Sequence, residues 1–332
     1  MAFVVEGADW VLDGKTPGEV LDAVDTFLDL LERASDQEVT VWFGDDFGSR
    51  QMHGNSSIWD LCAEDAEIHL PTEVCQELAA HLGRAKLYVD EPEWPAGFTE
   101  VVDVSINGEP TATNFDVAWA HHSVRSGKAV ACVGLWRKGV FDTSAGGSVA
   151  KVHWIGQGPA GAANFWQHAI DIEGNSPATF ERFASLAYPR LHFFGKVLQR
   201  ANEFAGGYHA NADVLKRYLR ILDESGHWAF TAAPPVQSRS EPAGPDGPNP
   251  SNQLIQRRLA LLALDVAPEN PNVYGDSKCR AARQIVLDGK TLYCEWHCKL
   301  EPHRNRIHLH APIPESKGKL VIAIFAEHLP LP

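Results

Sequence analysis

The chain has 332 residues, 44% of them hydrophobic and 22% charged, a composition that excludes disordered, collagenous and coiled-coil proteins and is long enough for two cores. Its formal net charge of −14 gives an overall field that repels nucleic acid and anionic membrane alike, which excludes a protein that coats DNA. No basic stretch leads into an apolar one, and no run reaches the roughly 18 apolar residues of a membrane span, so a cytoplasmic protein without a membrane partner is predicted.

Apolar residues recurring at three and four over 20–31 predict an amphipathic helix. A strand over 38–43 then runs into the turn Gly44-Asp45-Asp46, whose adjacent carboxylates have no third acid at metal-binding spacing and read as a solvated turn. A helix over 71–81 capped by Thr72 follows, then strands over 86–89, 99–106, 129–135 and 148–155. His121-His122-Ser123 lies between strands; neighbouring histidines point apart, so a surface or capping role is expected.

Gly156, Gly158 and Gly161 have the spacing of a phosphate loop between a strand and a helix. Pro159 removes an amide donor, and the acid about twenty residues on, Glu181, falls inside a helical pattern, so a Gly-rich connector is the favoured reading over dinucleotide binding. From 179 to 220 the apolar stripes are helical and belong to a core. The Pro- and Gly-rich stretch 232–250 reads as a linker, dividing an acidic mixed domain of 1–231 from a smaller domain of 251–332.

The smaller domain carries the chemistry. Residues 276–320 hold nine Lys/Arg against five acids, a local excess of +4 in an acidic chain. A helix over 253–266 leads to strands over 284–287, 290–300, 306–310 and 319–326, with Asp288-Gly289 as a hairpin turn. Alternation puts Leu292, Cys294, Trp296, Cys298 and Leu300 on one face and Tyr293, Glu295, His297 and Lys299 on the other. Pairing Leu300 with Asn305 sets Lys299 against Arg306, His297 against His308 and Glu295 against His310, and the Asp288 turn sets Arg280 against His297.

The predicted face thus gathers Arg280, His297, Lys299, Arg306, His308 and His310 around Glu295, with Arg304 and His328 at its ends. Cations that hold a phosphate backbone beside histidines that move protons suit metal-free cleavage of RNA. Alternatively, His297, His308 and His310 form a three-His zinc site of a hydrolase with Glu295 orienting it, against the repulsion of two nearby arginines. A third reading makes the face the docking surface of a non-catalytic subunit. The six cysteines contain no C-x-x-C pair, and Cys294-x-x-x-Cys298 reads as buried structural thiols; all six are expected to be reduced.

The runs 296–300 (WHCKL), 305–310 (NRIHLH) and 320–328 (LVIAIFAEH) after a helix and hairpin resemble the C-terminal sheet of the RelE/ParE toxin superfamily. The resemblance places Lys299 at the family's strand lysine, His297 at the basic position before it, Arg306 at the central arginine and His328 at the basic residue after the last strand. It covers about residues 251–330 and implies an α+β chain with a RelE/ParE-like C-terminal domain. By function it implies an RNA- or gyrase-directed effector, of ribonuclease type acting on ribosome-associated mRNA without a cofactor in the RelE branch. A toxin–antitoxin or antiphage-defence complex would supply a protein partner. The acidic N-terminal region would shield the basic face or dock on that partner.

Overall fold

The computed structural model describes residues 1–111, 113–234, 239 and 248–332. The chain is α+β and divides into two compact units, 1–173 and 174–332. The boundary expected at 232–250 therefore falls some sixty residues earlier; within that stretch, positions 235–238 and 240–247 lie outside the described residues.

The first unit is built from β1 (Ala2–Val5), α1 (Pro17–Asp36), β2 (Thr40–Phe43), α2 (Thr72–Leu82), β3 (Lys86–Leu87), β4 (Ser105–Ile106), β5 (Glu109–Pro110), α3 (Phe115–Arg125), β6 (Val130–Val133), β7 (Gly139–Ala145), β8 (Ser148–Trp154) and α4 (Gly158–Ile172). Its sheet has the order β3-β2-β1-β6-β8-β7-β4-β5. Strands β3, β2, β1, β6 and β8 are parallel, and β1 is buried at every position, as a strand covered on both faces must be. Helix α1 starts at a Thr16–Glu19 capping box with Pro17 in its first turn and buries Val20, Val24, Phe27, Leu28 and Leu31.

Several expectations shift here. Pro71, not Thr72, occupies the N-cap of α2 and makes no side-chain cap, and the strand expected over 99–106 shrinks to Ser105–Ile106. His121 and His122 lie inside α3 and are buried rather than at the surface. The His121 ring bonds Thr143 Oγ1 at 2.8 Å and Ser148 Oγ at 3.0 Å, while His122 Nε2 donates to Val101 O at 2.7 Å. Cys62 and Cys75, expected as thiols, form a disulfide with Cα atoms 5.9 Å apart. The glycine loop does connect β8 to α4: a Cβ on Gly161 would meet Gly156 C at 2.3 Å, so close backbone approach is why glycine stands there.

The second unit contains α5 (Pro177–Ala187), β9 (Leu191–Phe193), α6 (Gly207–Thr231), α7 (Asn252–Leu261), β10 (Val266–Pro268), α8 (Pro271–Gly275), α9 (Ser277–Ala281), β11 (Gln284–Leu287), β12 (Lys290–Tyr293), β13 (Trp296–Glu301), β14 (Arg304–His310) and β15 (Leu320–Ala326). Its five-stranded sheet runs β10-β13-β14-β15-β9, antiparallel except where β15 pairs with β9, and β11-β12 forms a separate hairpin. Strand β9 precedes the Pro-rich stretch, so the sheet draws on residues outside 251–332. The face carrying Trp296 and Cys298 is buried, with Phe230 of α6 edge-on to Trp296 at 5.3 Å. Among the described residues no helix is long and apolar enough to cross a membrane.

Candidate functional site

Strands β13 and β14 pair in the register that alternation predicts: His297 faces His308, Cys298 faces Ile307 and Lys299 faces Arg306. The imidazoles of His297 and His308 lie 5.7 Å apart between centroids. The expected single strand over 290–300 is instead broken. Cys294 N donates to Arg283 O at 2.8 Å and Glu295 N to Tyr293 O at 2.9 Å, so the chain kinks and β12 pairs with β11 while β13 pairs with β10.

That kink redistributes the predicted residues. Arg280 does not oppose His297; it sits in α9, with its guanidinium over the Tyr274 ring at 5.3 Å. Glu295 turns away and accepts from Asn252 Nδ2 at 2.7 Å. Arg304 is exposed and paired with Glu301 at 2.6 Å, and His328 is exposed beyond β15. His310 donates from Nδ1 to Ala311 O at 2.8 Å, and the ladder is irregular between His308 and Leu309. Among the described residues no group of three or more His, Cys, Asp or Glu side chains is arranged to hold a metal ion.

The carboxylate that the histidines do meet is Glu269, just past β10. Its Oε1 lies 3.3 Å from His297 Nδ1, 3.5 Å from His308 Nδ1 and 2.9 Å from Arg283 Nε. Arg283, between α9 and β11, is held further by Nη1 donating to Cys279 O at 3.1 Å and Pro330 O at 3.0 Å. The expected open face is thus closed at its centre: the side chains of Arg283 and His308 have no exposed surface, and those of Glu269 and His297 retain 5% and 8%. Tyr293 and Arg306, beside this cluster, are half-buried, as are Lys299, paired with Asp265 at 3.3 Å, and His310.

Burial alone would raise the Glu269 carboxyl. The His297 and Arg283 groups set against its oxygen outweigh burial and bring the carboxyl down to about 2, so it is ionised at neutral pH. Burial pushes His308 down to about 3; the Glu269 charge opposes this, while His297, Arg283 and Arg306 reinforce it. His308 is therefore neutral in the folded chain.

Charges meet here without aligned hydrogen bonds. Glu269 Oε1, Arg283 Nε and Nη2, Tyr293 Oη, His297 Nδ1, Arg306 Nε and both ring nitrogens of His308 are buried and lack a hydrogen-bond partner. Buried polar atoms are paired as a rule, so this many exceptions around one carboxylate mark a site shaped for something besides its own fold.

The first unit supplies the contrast. At the carboxyl edge of its parallel strands, where doubly wound sheets bind ligands, Glu6 accepts from Asn114 Nδ2 at 2.9 Å, Arg137 Nη1 at 2.5 Å and Trp154 Nε1 at 2.5 Å. Asp116 accepts from Gly7 N at 2.8 Å and Tyr88 Oη at 2.9 Å, and Asp9 accepts from the Trp136 and Arg137 amides at 2.7 Å each. Burial raises Glu6 and lifts Asp116 to about 6. Every one of these carboxylates is satisfied by its own chain, so the network locks the β1, β6 and α3 ends together, and the second unit holds the candidate site.

Glu269 and Arg283 were not legible as site residues. They sit 28 and 14 positions before His297 in a three-residue strand's exit and a post-helical turn, neither of which has a periodic signature. Comparison of the chain with models of known protein families, with curated proteins and with solved structures found no match.

Proposed function

We propose that the chain is an RNA-directed effector of toxin type that cleaves the phosphodiester backbone without a metal, using the Glu269–Arg283–His297–Arg306–His308 cluster. The observation that carries this reading is the convergence of two imidazoles and a guanidinium on one ionised carboxylate with their polar atoms incompletely paired. RNA supplies its own nucleophile in the 2′-hydroxyl, so the chemistry needs a base, an acid and positive charge for the pentacoordinate transition state.

The roles follow from the environments. His308, closed off in the free chain, is kept in the unprotonated form that accepts the 2′-hydroxyl proton once RNA docking opens the half-buried side, and an arriving phosphate raises its basicity by favouring the imidazolium. His297, held at Nδ1 by Glu269, donates to the departing 5′-oxygen. Glu269 fixes both rings, Arg283 holds Glu269 from the buried side, and the half-buried Arg306 faces the phosphate charge. Substrate enters from the half-buried side of Tyr293 and Arg306. The toxin or defence setting rests on the RelE/ParE resemblance of the runs over 296–328 alone.

The test is cleavage of single-stranded RNA by the purified chain with and without a chelator, beside elemental analysis. Cleavage is expected in both conditions, leaving 2′,3′-cyclic phosphate ends, with a loss of about 100-fold or more in His308→Ala and Glu269→Gln and none in His328→Ala. Stoichiometric zinc, or full activity in a His297→Ala/His308→Ala double variant, overturns the reading.

A further inference from the structure

The two half-buried cysteines of the first unit differ in kind from the other four. Cys132, Cys279, Cys294 and Cys298 are buried free thiols, and burial pushes Cys132 well up and Cys294 up to about 12, which leaves them protonated and unreactive. Cys62 and Cys75 are only half-buried and are joined across 13 positions. They link the turn before an acidic loop, which holds Glu64, Asp65 and Glu67 exposed, to the first turn of α2.

The backbone around this bridge also suits the reduced state. Cys62 Sγ lies 3.8 Å from Ile58 O and Cys75 Sγ 3.7 Å from Leu70 O, so each thiol would find an acceptor where it stands. The intervening loop has ties of its own: Leu70 N donates to Leu61 O at 2.8 Å, His69 Nδ1 to Ala63 O at 2.9 Å, and Ile68 and Leu70 are buried. Opening the bridge therefore strands no polar group and unfolds no anchor.

We propose that Cys62 and Cys75 form a reversible thiol–disulfide site that exchanges with a small thiol such as glutathione while the unit stays folded. A glutathione thiolate attacks one sulfur of the bridge, the S–S bond breaks and the released cysteine thiolate takes a proton from water. A second glutathione thiolate then attacks the mixed disulfide, giving two cysteine thiols and one glutathione disulfide; oxidation runs the same steps backwards.

The full chain, equilibrated in glutathione buffers of graded ratio, quenched in acid and alkylated, reports the exchange by peptide mass. The expected result is a single transition in which Cys62 and Cys75 alone take up label while the far-ultraviolet circular dichroism stays constant. Cys62→Ser in oxidised glutathione is expected to gain one glutathione at Cys75. A bridge that resists reduction until denaturant is added, or thiols that never pair in oxidised buffer, overturns the proposal.

Discussion

At His308, burial separates the folded from the unfolded chain by a proton. The unfolded imidazole titrates near 6.5 and the folded one near 3, so between those values the unfolded chain binds a proton that the folded chain refuses, and stability falls as pH drops through that window. Glu269 adds to the loss below 4.5, because its folded carboxyl stays ionised to about 2. His121 and His153, each lowered to about 4 mainly by burial, add the same sign in the first unit. His308→Gln should therefore flatten the slope of unfolding free energy between pH 5 and 6.5 by about one proton, roughly 1.4 kcal/mol per pH unit. Urea titrations at several pH values measure this; an unchanged slope would mean that His308 is not the neutral buried group described here.

Asn305 shows a different cost at the same scale. It is fully buried with a φ of 56°, a left-handed conformation that asparagine tolerates better than most residues. Its Oδ1 accepts from Ala205 N at 2.8 Å, and its Nδ2 donates to Ala205 O at 3.1 Å and Asn211 Oδ1 at 2.9 Å. Asn305→Ala removes these bonds, leaves Ala205 N unpaired and keeps the backbone strain, so a loss of about 3 kcal/mol is expected in chemical denaturation. Nothing in the sequence marks this asparagine, because Ala205 and Asn211 lie about a hundred positions away, whereas the facing pairs His297–His308 and Lys299–Arg306 could be read from alternation across one short turn.

Elements with strong local signals were legible. The 3.6-residue stripe of α1 follows from the sequence, and a helix is expected where α7 stands. Several elements of two or three residues were not, and two of them, β9 and β10, are the edge strands that complete the second sheet. The break between β12 and β13 was hidden for another reason: apolar alternation runs unbroken through Cys294, and the hydrogen bond from Cys294 N to Arg283 O that ends the hairpin is tertiary. The glycines give an element-scale test. On Gly161 a new Cβ would press on backbone at 2.3 Å, but on Gly226 of α6 it would meet only Leu320 Cδ2, at 2.8 Å. Gly161→Ala should lower stability by more than about 3 kcal/mol, whereas Gly226→Ala, where a side-chain end can rotate and alanine favours the helix, should cost less than about 1.5 kcal/mol. Thermal unfolding of the two variants side by side decides it; equal losses would contradict the close approach at the β8–α4 junction.

At the scale of the whole molecule, composition pointed to two units but placed the cut at the most visible punctuation, the Pro-rich stretch. Contacts place it after Glu173 because residues 174–231 give the second unit its edge strand β9 and its packing helix α6. Leu191, His192 and Phe193 pair with Leu320, Val321 and Ile322, and Phe230 packs on Trp296. A chain cut at 250 therefore leaves 251–332 with an unpaired edge along β15, a strand buried at all seven positions, which is a template for aggregation. Expressed alone, 174–332 should unfold in one cooperative transition and retain the candidate site, while 251–332 should be insoluble or lack a transition by circular dichroism. A cooperatively folded 251–332 would show that β9 and α6 are dispensable and would restore the later boundary.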